Sequence, residues 1–267
     1  MKFTKMHGCG NDFLVVDGPV TLAPERVREL CDRRRGVGAD GILVIGEAVG
    51  RRWPVTLHNA DGSFGESCGN GARCVARYLL DRDGGDCLEL RFPGGDVQAR
   101  RDDAGIAIQL VAPHVGERLA LSVEGVRYDG RRVSVGNPHL VVLVGEDPAA
   151  LELRSFAAAA RAVAGDVNVE VARVRDAAHL TLRVDERGVG ETLACGTGAL
   201  GAVAAALALG EVNAREVRVV LPGGTLLVRP GPNFYELAGP AEYVFSGELA
   251  SPRGPADSEH LRAVERS

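Results

Sequence analysis

The chain repeats itself, and that repeat limits its possible folds more than any other feature. Glu66-Ser67-Cys68-Gly69-Asn70-Gly71-Ala72-Arg73 in the first half matches Leu193-Ala194-Cys195-Gly196-Thr197-Gly198-Ala199-Leu200 in the second, with the cysteines 127 residues apart. Gly10-Asn11-Asp12-Phe13-Leu14-Val15-Val16 matches Gly136-Asn137-Pro138-His139-Leu140-Val141-Val142 at an offset of 126, and Pro93-Gly94-Gly95 matches Pro222-Gly223-Gly224 at 129. Three matches in order at nearly constant offset indicate an internal duplication, and a period of this size describes two similar domains and not a solenoid.

The local pattern fills in each half. Short apolar runs at Phe13 to Val16, Gly41 to Ile45, Leu140 to Val144 and Val217 to Leu221 suit buried strands. Leu88 to Phe92, Ala107 to Val111 and Thr181 to Val184 alternate and suit half-buried ones. Residues 24–34 predict a helix, with Pro24 in the first turn and Gly36 beyond the end. Helices are also expected after each Cys-Gly-x-Gly, over about 70–80 and 197–209. The second is apolar all round and so should be surrounded by protein.

The pattern therefore predicts two similar domains, each of many strands around one central helix. The boundary is expected near Gly116-Glu117, giving halves of 1–117 and 118–241. The segment 251–267, with Pro252, Gly254, Pro255 and many charges, is expected to be disordered.

A net charge of -5 over 267 residues argues against nucleic acid or an anionic membrane as the main partner. No segment near Met1 resembles a signal peptide, and the run from Ala199 to Leu209 is too short to span a bilayer, so a cytoplasmic location is expected. None of the six cysteines forms a Cys-x-x-Cys pair, which argues against a zinc or thioredoxin-type site. Cys31, Cys74 and Cys87 read as small core residues.

Cys68 and Cys195 read differently, because each immediately precedes a predicted helix. A helix N-terminus favours negative charge and lowers a thiol pKa. The Gly-x-Gly is expected to allow a sharp turn and close approach of a ligand to the backbone amides. Placed face to face, the two helix starts would hold one substrate carboxylate on donors from Gly69-Asn70 and Gly196-Thr197. The neighbouring α-carbon would then have a sulfur on either side. One thiolate would remove the α-proton, and the other thiol would deliver a proton to the opposite face, inverting configuration without a cofactor. A tight turn, or a redox pair of neighbouring sulfurs, would produce the same motif.

At these residues the sequence resembles the diaminopimelate epimerase family. The resemblance runs through Lys5-Met6-His7-Gly8-Cys9-Gly10-Asn11-Asp12-Phe13, His58-Asn59-Ala60-Asp61-Gly62-Ser63, Cys68-Gly69-Asn70-Gly71-Ala72-Arg73-Cys74, Gly136-Asn137-Pro138-His139 and 186–198, covering about residues 1–247. It implies pyridoxal-independent interconversion of LL- and meso-diaminopimelate for lysine and peptidoglycan precursor synthesis. It also implies an α/β (α+β) fold of two pseudo-symmetric domains, each a curved mixed or antiparallel sheet wrapped around a central helix with the active site in the cleft between them, a homodimer, and a C-terminal strand at about 242–249 that returns to the first domain.

By matched position, Asn11, Asn59, Asn137, Asn168, Glu186 and Arg187 are expected to contact substrate, with Arg187 taking the distal carboxylate. His139 and Glu186 are expected to support catalysis by Cys68 and Cys195. Two positions depart from the family pattern: Gly41, where some members carry glutamine, and Phe245, where some carry a tyrosine linked to dimer contacts. A racemase of histidine- or proline-type amino acids on the same scaffold, and an amino-acid-binding protein without turnover, are the competing readings.

Overall fold

In the computed structural model, residues 1–66 and 68–249 are described. The segment expected to be disordered, 251–267, lies outside the described residues. Each half runs through the same series. The first has β1 (Lys2–Gly8), β2 (Asn11–Asp17), α1 (Pro24–Cys31), β3 (Gly41–Ile45), β4 (Arg52–Asn59), β5 (Phe64–Gly65), α2 (Gly69–Asp83), β6 (Cys87–Phe92), β7 (Gly95–Asp102) and β8 (Gly105–Val111). After β9 (His114–Val123), the second has β10 (Val126–Ser134), β11 (Pro138–Leu143), α3 (Leu153–Ala164), β12 (Asn168–Asp176), β13 (His179–Glu186), β14 (Gly190–Thr192), α4 (Gly196–Ala208), β15 (Val217–Leu221), β16 (Gly224–Arg229) and β17 (Phe234–Gly239). The last strand is β18 (Glu242–Glu248).

The pairing repeats as faithfully as the order. In the first half β2/β3 and β4/β6 are parallel, and in the second β11/β12 and β13/β15 are parallel. A parallel pair needs a long crossover, and a helix supplies each one: α1, α2, α3 and α4 in turn. The remaining neighbours are antiparallel in both halves. The halves join through β8 against β17, with Ile108 opposite Leu237. Each half also passes its final strand to the other. β9, which follows β8, pairs with β10, and β18, which follows β17, pairs with β1.

The central helices explain the core. α4 is buried from Gly196 to Ala206 apart from Thr197, and strands β9 to β13, β16 and β17 pack around it. This matches the expectation for a helix with no polar face. α2 buries one broad face, including Ala72, Cys74, Val75, Ala76, Leu79 and Leu80, against β1, β2 and β6 to β8. One continuous apolar cluster includes residues of both helices and both halves. Among the described residues, no helix is long and apolar enough to cross a membrane.

Several local expectations need correction. α1 stops at Cys31 and not at residue 34, because the Asp32 carboxylate accepts the N–H groups of Arg34 and Arg35 (2.7 Å each) and turns the chain out of the helix. α3 carries no expectation from the sequence. Cys87 is exposed at the start of β6 and is not a core residue, whereas Cys31 and Cys74 are buried. The glycines after the two cysteines do not serve a sharp turn, since none of Gly69, Gly71, Gly196 and Gly198 has positive φ. They serve close approach: a Cβ on Gly196 would meet Leu237 at 2.9 Å, and one on Gly198 would meet Glu170 at 2.7 Å.

The tightest approach between the halves is at Gly223, where a Cβ would lie 1.9 Å from the Cys9 carbonyl oxygen. A backbone atom cannot swing aside as a side-chain tip can. We expect Gly223→Ala to destabilise the protein by about 1–3 kcal/mol, the usual range for overpacking. Urea unfolding read by far-UV circular dichroism measures this, and an unchanged midpoint would contradict it.

Candidate active site

Cys68 and Cys195 occupy the same structural position in their halves. Each is the N-cap of its central helix, in extended conformation, with φ of -149° and -124° respectively. The Gly71 N–H donates to Cys68 Sγ (3.4 Å), and the Gly198 N–H donates to Cys195 Sγ (3.3 Å). Sulfur thus takes the place of the usual capping oxygen. The loops before the caps are braced alike, by Gly94 N–H to Glu66 O (2.8 Å) and Gly223 N–H to Leu193 O (2.9 Å).

The two helix starts meet. A Cβ on Gly196 would lie 3.9 Å from the Gly69 Cα. The buried Asn70 amide spans the seam, donating to Asn11 Oδ1 and to the Ala194 carbonyl, both at 3.1 Å. Asn70 Oδ1 in turn accepts from Arg73 Nη2 (2.9 Å). Asn11 is held by Asp40, its Nδ2 donating to Oδ2 at 2.7 Å, and its Oδ1 faces the Cys68 thiol at 3.7 Å. On the other side Thr197 Oγ1 lies 3.4 Å from Cys195 Sγ.

Glu186, at the end of β13, is near both sulfurs, and its carboxylate raises the pKa of each thiol. Burial raises the pKa of Glu186 itself, against a hydrogen bond from Thr192 Oγ1 (2.6 Å). Asn168, at the start of β12, accepts the backbone N–H of Arg187 at 2.9 Å. The Arg187 guanidinium is half exposed and 3.7 Å from Asp166. Asn137 Oδ1 faces His139 Nε2 (2.9 Å). Asn59 is occupied locally, its Nδ2 donating to Ser63 Oγ (3.0 Å) and its N–H to the Ser63 carbonyl.

The expected lowering of the thiol pKa values is not found. Burial pushes Cys68 above its ordinary value. The Gly71 N–H works the other way, Glu186 adds to the rise, and Arg73 opposes it. Cys195 is pushed up further, by burial first and then by the Glu186 and Glu170 carboxylates. Desolvation outweighs the helix ends, and both sulfurs are held toward the thiol form.

Two fully buried charged side chains beside the site escaped the sequence reading. Arg73, in the first turns of α2, is 0% exposed. Its Nε donates to the Pro240 carbonyl (3.4 Å), and its Nη1 is without a partner among the described residues. Glu170, on β12, is also 0% exposed and lies 2.7 Å from His139 Nδ1. Setting the two halves against each other would have flagged both, because Arg73 matches Leu200 and Glu170 matches Leu43.

This architecture of two like halves recurs in other proteins of known structure. Solved structures share the fold: a phenazine biosynthesis protein of the PhzF family from Bacillus anthracis at TM-score 0.73 and 16% identity, covering 94% of this chain and 99% of that one. A probable proline racemase from Agrobacterium radiobacter K84 superposes at TM-score 0.69 and 14% identity, covering 95% and 94%.

The sequence is more specific. The family model for diaminopimelate epimerase matches residues 3–112 and 131–241. Diaminopimelate epimerases from Xanthomonas campestris pv. campestris and Desulfitobacterium hafniense are 42% and 39% identical to the chain. Each match covers 93% of this chain, with 96% and 98% of the respective relative. The chain belongs to the diaminopimelate epimerase family, and it is an isomerase.

The burial of the thiols makes their reactivity predictable. With iodoacetamide at pH 8, exposed Cys87 should be alkylated first, and Cys195 more slowly than Cys68. Because both site thiols have raised pKa values, their labelling should accelerate only as pH climbs beyond the ordinary thiol range. Site-resolved mass spectrometry measures this, and rapid labelling of Cys195 at pH 7 would contradict it.

Proposed function

We propose that this epimerase inverts one α-carbon of LL-diaminopimelate to give meso-diaminopimelate, using Cys68 and Cys195 as a pair of opposed acid/bases. The observation that carries the reading is the mirrored capping of two abutting helices by two thiols, with Glu186 acting on both. The family supplies the substrate. The relatives that bear its name match along nearly the whole chain.

The α-carboxylate sits where the helix starts converge, on the amides of Gly69-Asn70 and Gly196-Thr197. Entry of the substrate replaces water around the sulfurs with fixed dipoles and an ammonium charge, which favours one thiolate. That thiolate takes the α-proton, and the electron pair left on carbon is stabilised through the carboxylate by the amide donors. The opposite thiol gives its proton to the other face. The sulfurs thereby exchange protonation states, and the reverse reaction starts from the product state. A pseudo-symmetric pair suits a substrate and product that differ in handedness at one carbon, and the scheme uses no cofactor.

The distal amino-acid end is recognised by Arg187, with Asn11, Asn59, Asn137, Asn168 and Glu186 completing the substrate shell. His139 and Glu186 support the thiols. The working unit is a cleft between a first half of 1–117, with the strand at 242–249, and a second half of 118–241. A homodimer is proposed as well. Edge strand β18 exposes Tyr243, Val244 and Phe245, a surface a second copy would cover. The reaction belongs to lysine and peptidoglycan precursor synthesis in the cytoplasm.

Incubation with LL- or meso-diaminopimelate in deuterated water tests the function. Deuterium should enter at one α-carbon as the stereoisomers equilibrate. Binding without exchange would make the protein a sensor, and exchange only with proline or histidine would move the substrate. Cys68→Ala and Cys195→Ala should each cut epimerisation by roughly 10²–10⁴-fold, the usual worth of a positioned acid/base. Full turnover by either variant would remove the two-thiol mechanism. Arg187→Ala should raise KM by about 10- to 100-fold, the scale of a charged hydrogen-bond partner, with a smaller change in kcat.

A further inference from the structure

The duplication gives each residue of one half an internal control in the other. Gly71 and Gly198 occupy the same place behind the two capping cysteines, and each presses on a residue from the strand beneath it. A Cβ on Gly71 would meet Leu43 at 3.1 Å, and one on Gly198 would meet Glu170 Oε1 at 2.7 Å. The partner positions also correspond. Phe13 stands opposite Gly41 on β2/β3, and His139 stands opposite Asn168 on β11/β12. The first half therefore supports its thiol-capped helix on Phe13 and Leu43. The second replaces that pair with His139 and Glu170, both 0% exposed and 2.7 Å apart.

This exchange is unfavourable for stability alone. A buried polar pair gains little over a well-packed apolar one, and Glu170 Oε2 has no hydrogen-bond partner among the described residues. A side chain that costs stability in one half, where its twin is leucine, calls for a role the twin lacks.

We propose that Glu170 is a positioning residue that keeps the proton on Cys195, and on no other cysteine, through its contact with the start of α4 and its grip on His139. Its contribution to turnover rests on the two-thiol reading. Glu170 Oε1 holds His139 by Nδ1, which leaves Nε2 turned toward Asn137. The same oxygen lies against Gly198, whose N–H caps Cys195.

The groups that face Cys195 are few. Glu186 comes from β13 and Glu170 from β12, with His139 of β11 bonded to Glu170 behind it. β17 contributes apolar Leu237, and the first turn of α4 has no acidic residue. Across the seam lie Cys68 and, behind it, Arg73. Among the described residues, Glu170 alone is an acidic side chain that is 0% exposed and in contact with the cap.

The test is Glu170→Gln, nearly isosteric, in the full-length protein without ligand. Iodoacetamide labelling of each cysteine, followed across pH by mass spectrometry, should show the Cys195 profile moving down by about one pH unit, the scale of one nearby charge, while Cys68 stays in place. With diaminopimelate the variant should lose at least about tenfold in kcat, with KM within about threefold, as expected when a charged hydrogen bond acting on the reaction step is lost.

A Cys195 profile that stays put, rises or moves together with Cys68 overturns the proposal, and so does an unchanged kcat when the unaltered protein turns over diaminopimelate. If the Gln variant does not fold, the double variant His139→Phe with Glu170→Leu, which copies the pair packed in the first half, carries the labelling test, and a Cys195 profile that does not move down there overturns the proposal. If the unaltered protein fails to turn over diaminopimelate, the proposed function is wrong, and the labelling profiles still decide the role of Glu170.

Discussion

The amide of Asn70 registers the two halves against each other at the one place where register matters. It is buried, and its two N–H groups reach Asn11 in its own half and the Ala194 carbonyl in the other. Ala194 immediately precedes Cys195, and Asn70 lies two residues after Cys68. The bond therefore ties one thiol to the other through only a few covalent links. A buried amide without partners is costly, so the seam is favoured only in the alignment that satisfies it. Arg73, fixed behind Asn70 through its Oδ1, sets the orientation of that amide and connects it to the Pro240 carbonyl just before β18.

Two opposing effects act on the sulfurs, and their sizes decide the resting state. A helix N-terminus contributes about 0.3–1 kcal/mol to a nearby negative charge, and up to ~2 kcal/mol when partly buried. Withdrawing an ion from water costs several kcal/mol even after relaxation. Burial wins, and Glu186 adds to it at both sites.

Much of this was readable from the sequence because duplication is a property of order and spacing. The offset alone located both cysteines and the helices behind them, and apolar runs located β3 and β15 to the residue. Where reading by type failed, three-dimensional context overruled local signal. Pro24 to Arg34 looks helical throughout, but the Asp32 side chain ends the helix. The alanine-rich stretch that forms α3 has only Glu152 as its cap, a poor signal of a helix start. The glycines near the cysteines suggested turns, whereas their missing side chains make room for Leu237, Leu43 and Glu170. Glu170 and Arg73 were hidden for a different reason. Charged residues are taken for surface unless something marks them as buried, and here the mark was the apolar identity of their twins.

The exchange of final strands has a further meaning. β9 leaves the first half to border β10, and β18 leaves the second to border β1. A lone half would have an uncovered edge at its first strand and a last strand with nowhere to dock, a mismatch that a second copy resolves. One polypeptide thus encodes what two identical swapped subunits would build, with fusion freeing each copy to specialise. Leucine could become arginine on one side, and phenylalanine and leucine could become histidine and glutamate on the other. No symmetric assembly of identical chains can make such changes one at a time.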